Sequence, residues 1–112
     1  MNAQKERINN YIQTFNVKQD YVECHHISRE MLLDGDDPQL AKCLATLSAL
    51  MEQAQKKKWT GYKKLHRKLL EQLDAMEFLP FDEEDLRLQL QLLDEQVEND
   101  AVNPIIPIQL RM

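Results

Sequence analysis

Apolar residues recur along the chain at helical spacing, in runs separated by a few breakers. Ile8, Ile12 and Phe15, with Tyr11 beside them, form a first stripe. Val17, Tyr21, Cys24, Ser28 and Met31 form a second. At about 100° per residue these two stripes fall on opposite sides of one ideal helix. Either one long helix over residues 3–33 packs neighbours on both sides, or the chain breaks near Asn16–Asp20. The break is favoured, with Asp20 as N-cap and Gly35 as the C-terminal stop.

Asp36-Asp37-Pro38 opens the next segment. An Asp cap followed by proline is a strong start signal, since proline lacks only an amide that would go unpaired anyway. Leu40, Leu44, Leu47, Met51 and Ala54 then give a continuous apolar face. A third main segment opens near Thr60 and Gly61, with Tyr62, Leu65, Leu69, Leu73 and Met76 as its stripe, and ends before Pro80. A fourth opens at Asp82 and carries Glu83, Glu84 and Asp85 in its first turn, where the helix dipole favours anions. Its main face is Leu86, Leu90, Leu93 and Val97, while Leu88 and Leu92 fall on nearly the opposite side. A helix apolar on two sides is usually sandwiched between neighbours.

The pattern predicts an all-α fold: an antiparallel bundle of four to five helices over residues 1–100, followed by an extended tail over 101–112. The tail reads AVNPIIPIQLRM, and its two prolines forbid regular helix. Period-2 alternation is absent, so strands are not expected.

Composition narrows the class. A chain of 112 residues, 43% hydrophobic, is one domain and not disordered throughout. Two glycines exclude a Gly-rich phosphate loop. No run nears 18 apolar residues, so no membrane span is expected. The first ten residues do not read as a signal peptide. Two cysteines are too few for a secreted disulfide scaffold, and a cytoplasmic protein with reduced thiols is the expectation.

Charge adds a second layer. The net charge is −5, yet seven of the fourteen basic residues lie within positions 56–68 with no acid among them. Residues 71–100 hold eleven acids against Arg87 alone. Lys63, Lys64, Arg67 and Lys68 share the side of the third segment opposite its apolar stripe, with Trp59 and Tyr62 at the entrance as a stacking platform. That arrangement suits nucleic acid, where cations release counterions from phosphates and rings stack on bases. The competing reading is a solvated face whose lysines pair with acids of the fourth segment or of a second subunit, each exposed pair contributing about 0–1 kcal/mol.

Chemistry of other kinds is poorly supported. Cys24-His25-His26 cannot close on one ion within a helix, because neighbours point about 100° apart. Cys43 and His66 add no ligand spacing. Ser28 and Ser48 are the only serines, and neither sits on a nucleophile elbow. Asp82-Glu83-Glu84-Asp85 lacks the glycine and spacing of an EF-hand. No catalytic residue, cofactor, metal or small-molecule substrate is inferred.

A four-helix protein of this size has limited capacity to cover both Leu88–Leu92 and the tail isoleucines. Each large side chain left wet forgoes about 1.5–3 kcal/mol. A second copy or a different protein is therefore expected to cover at least one. The alternative is a tail that folds back over the last helix and closes a monomer. The function expected is a non-enzymatic protein-interaction module (a small adaptor, regulator or specialised chaperone) with Leu88, Leu92, Ile105, Ile106 and Ile108 as contact residues. A nucleic-acid-associated regulator using Trp59, Lys63, Lys64, Arg67 and Lys68 is the runner-up.

Overall fold

The first apolar stripe becomes α1, Ala3–Gln13, which runs into a π-helical turn at Thr14–Lys18. The chain then forms α2 (Tyr21–Leu33), α3 (Pro38–Gln55), α4 (Trp59–Ala75) and α5 (Glu83–Glu98). This computed structural model describes residues 3–99 and 105–111, and every regular element among them is helical. The expected boundary at 100/101 lies outside the described residues.

Local chemistry sets the breaks. The wide turn at 14–18 ends with Gln19 in the left-handed region, and Asp20 caps α2 by accepting the Glu23 N–H. The chain direction is thereby reset, which settles residues 3–33 as two helices. It also corrects the second stripe: Val17 is 74% exposed, because it belongs to the π turn and not to the register of α2. Tyr21, Cys24, Ser28 and Met31 are buried as expected, joined by Ile27.

α2 ends in a Schellman motif, with Asp36 N–H on Met31 O and Gly35 N–H on Leu32 O. Gly35 sits at φ 83°, where a Cβ would be strained. α3 ends in the same motif (Lys58 N–H on Gln53 O, Lys57 N–H on Ala54 O), but a lysine, Lys57, holds the left-handed position.

α3 is the axis. Ten of its residues are buried, over a wide arc that leaves the side of Lys42, Ala45, Ala49 and Glu52 less covered, so it needs neighbours on most sides. α2 and α4 are its largest partners, joined to it by short turns that make each pair antiparallel. Asp37 caps it and Pro38 opens it, as the sequence requires. α1 is pinned by Tyr11, whose buried hydroxyl donates to Leu44 O and bonds Ser48 Oγ, each at 2.7 Å. Arg7 adds a two-pronged bond to Asp36 at 2.8 and 2.7 Å.

The tail docks. Gln109 N–H donates to Gln89 Oε1 and Gln89 Nε2 donates to Gln109 O, both at 2.7 Å. Leu110 and Asn16 make the same reciprocal pair, again at 2.7 Å. Asp82 N–H closes the far end on Arg111 O. With Ile106 N–H on Gln96 Oε1, the tail runs antiparallel to α5. Three extended residues and seven helical ones both span about 10 Å, which is why two glutamines of α5 meet the tail in register.

Candidate functional site

α5 presents Leu86, Leu90, Leu93 and Val97 to the core, where they are buried. Leu88 and Leu92, one turn apart on the other side, are 55% and 48% exposed. Gln96 extends that line by another turn and takes the Ile106 N–H, so Ile106, 69% exposed, stands at its end. Glu84 lies one turn before Leu88 and Glu95 about one turn after Leu92, both exposed. Among the described residues neither has an ion-pair partner, whereas Glu83, Asp85 and Glu98 pair with Arg87, Arg111 and Lys63. The face is a leucine line with a bare carboxylate at each end.

The tail contributes less than the sequence suggested. Ile108 is buried against the core together with Leu110, so the expected contact residue Ile108 offers a partner no surface while the tail is docked. Ile105 is half-buried, and only Ile106 stands out. Residues two apart in an extended segment share a side, which puts 108 and 110 inward together, but that register does not extend back to Ile106.

The basic face lies on α4. Lys63, Lys64, Arg67 and Lys68 are all exposed, as are Lys56, Lys57 and Lys58 at its entrance. Two of the seven have acid partners among the described residues: Lys56 with Glu52 at 2.7 Å and Lys63 with Glu98 at 4.0 Å. The expected stacking platform needs correction. Tyr62 is fully buried and Trp59, half-buried, packs edge-on against it at 6.1 Å. Its place in the apolar stripe with Leu69 and Leu73 puts Tyr62 in the core and not on the charged side.

Tyr62 and His66 instead tie α4 to α5. Tyr62 Oη donates to Asp94 Oδ1 at 3.4 Å, and His66 Nε2 bonds Leu90 O at 3.3 Å. Burial, then Asp94, pushes the Tyr62 phenol well up.

Cys24 and Cys43 are buried and unpaired as disulfides, while His25 and His26 point to solvent. Among the described residues no group of three His, Cys, Asp or Glu is placed to hold a metal, and no helix is long and apolar enough to cross a membrane. Sequence reasoning missed Phe78, which stands 60% exposed beside an apolar cleft of 370 Å³ shared with Ile8, Leu79 and Pro80. The signal was present as an unmatched aromatic just before Pro80, outside every helical stripe. No protein-family model, curated protein or solved structure matches the chain.

Proposed function

We propose that the chain is a non-enzymatic interaction module that docks a basic amphipathic helix of another protein on the outer face of α5. The carrying observation is the Leu88–Leu92 line, wet on a helix whose opposite face is already filled, with Ile106 at one end and Glu84 and Glu95, without ion-pair partners among the described residues, flanking it. Apolar anchors supply affinity and bare carboxylates select the sign of the partner. A second copy fits this face poorly. Antiparallel α5 helices related by a two-fold axis bring Glu84 of one near Glu95 of the other, and like charges repel.

The test is capture with wild-type and Leu88→Gln/Leu92→Gln baits, followed by titration of the captured protein's helix as a synthetic peptide. Loss of two such anchors is expected to weaken peptide binding by about thirtyfold or more, at about 1 kcal/mol each. The double variant keeps its fold, because both side chains are already exposed. Capture that ignores the substitutions sinks the reading. Self-association in sedimentation that the double variant abolishes assigns the face to a second copy instead.

A second reading is favoured by the α4 cations. Five of the seven lack an acid partner among the described residues, and no large apolar side chain is exposed between Leu33 and Phe78. A positive face with no apolar anchor suits phosphates better than protein. Lys64→Glu/Arg67→Glu/Lys68→Glu should then abolish retention of labelled oligonucleotides at low salt. It should also flatten the salt dependence of log K by about one unit for each phosphate no longer neutralised. Retention unchanged in the triple variant, or none at low salt in the wild type, removes it.

A further inference from the structure

A second cleft, of 300 Å³, lies where the start of α2, the end of α3 and the tail meet. Met51, Ala54 and Ile105 give it an apolar floor; Gln19, Tyr21 and Lys57 give it polar groups. Three local oddities of the chain converge there. Gln19 and Lys57, at φ 52° and 56°, are the two non-glycine residues with positive φ among the described residues. Side chains disfavour that region, and residues held in it cluster at ligand clamps. Tyr21 is 3% exposed, and its hydroxyl is buried with no hydrogen-bond partner among the described residues.

Gln19 takes its conformation from the turn that ends at Lys18, but the residue types at the other two are not needed by the fold. The left-handed geometry at 57 follows from the Schellman ending of α3, but the choice of lysine over glycine does not. The Tyr21 ring packs edge-on against Phe15 at 5.1 Å, an arrangement that phenylalanine would make equally well. A buried hydroxyl without a partner is a cost that phenylalanine avoids. Lys57 has no acid partner among the described residues, and Asp20, the nearest acid in sequence to Tyr21, is engaged by the Glu23 N–H. Burial pushes the Tyr21 phenol up to about 12, so at neutral pH it is a donor.

We propose that this cleft binds a small organic carboxylate, its anionic end held by the Tyr21 hydroxyl and the Lys57 ammonium and its apolar body laid on Met51, Ala54 and Ile105. The volume is at the lower end of small-molecule sites. The hydroxyl is closed off from solvent, so the carboxylate reaches it only as the cleft wall around Tyr21 opens.

The experiment is an NMR titration of the full chain with benzoate and with hexanoate, against benzyl alcohol and hexanol as neutral matches. Thermal melts of the ligand-free proteins accompany it. At least one acid should saturate with a Kd of about 1 mM or tighter, ordinary for a ligand of that size, with shifts confined to residues around 19–21, 51–57 and 105. The alcohols should bind at least tenfold more weakly, as about one charge-assisted hydrogen bond requires. Tyr21→Phe and Lys57→Gly should each cost about tenfold in affinity while raising the ligand-free Tm, since each removes a local cost of the empty protein. That pairing of opposite signs is what a merely structural role does not produce. The proposal is overturned by non-saturable titrations with both acids, by alcohols that match them, or by a Tm that falls in Tyr21→Phe.

Discussion

Tyr11→Ala lowers the stability of the fold by about 3–5 kcal/mol, the range for emptying a fully buried aromatic site. Tyr11 is completely enclosed; its ring stacks on Phe15 at 5.9 Å and its hydroxyl bridges Leu44 O and Ser48 Oγ. It is also the main side-chain tie between α1 and the axial helix. Tyr11→Phe separates the two contributions. The ring stays, and Leu44 O is still reached by Ser48 Oγ at 2.8 Å, so no buried acceptor is orphaned. The loss there is about 1 kcal/mol, one net hydrogen bond. Urea midpoints at unchanged m-values measure both. An alanine variant within about 1 kcal/mol of wild type would mean that α1 is not integral to the core.

What the residues made legible follows from where a single physical signal dominates. Leu40, Leu44, Leu47, Met51 and Ala54 repeat without conflict after a proline-led cap, and all five are buried in α3. Asp20 and Gly35 mark helix ends because a side-chain acceptor and a left-handed backbone are local needs. The failures sit where two signals compete or where the partner is distant. Val17 fits the α2 period, yet a π turn intervenes, and nothing in the period registers a change of helix type. Tyr62 reads as a platform by its charged neighbours and as core by its place in the stripe with Leu69 and Leu73, and the stripe decides. The tail's fate rests on Asn16 and Gln89, polar residues 94 and 20 positions from their backbone partners at Leu110 and Gln109. Amides paired at such separation leave no periodic trace. Leu88 and Leu92 were legible as a second face because their angular position conflicts with that of Leu86, Leu90 and Leu93, and that conflict is the kernel of the docking proposal.

Native-state thiol labelling is expected to be about a thousandfold slower than in the unfolded chain, even before steric closure is counted. Burial pushes Cys24 and Cys43 from the ordinary value of 9.0 to about 12, with Asp20 and Glu23 adding to the first and Glu83 to the second. Each pH unit of that rise removes about a factor of ten in thiolate at neutral pH. The same rise fixes the sign of an alkaline effect. A thiol whose folded pKa lies above its unfolded one contributes stability that is complete below pH 9.0 and falls as pH climbs toward about 12. The slope is about 1.4 kcal/mol per pH unit for each thiol, and Tyr21, also pushed to about 12, steepens it above pH 10.0. Urea titrations at stepped alkaline pH should therefore show Cys43→Ala with a shallower decline than wild type. Iodoacetamide rates in buffer and in concentrated urea measure the labelling directly. Rates within about tenfold of each other would place the thiols open to solvent and near their ordinary reactivity. Slow labelling makes Cys24 and Cys43 poor nucleophiles, and turns them into reporters of any event that loosens the core around Tyr11.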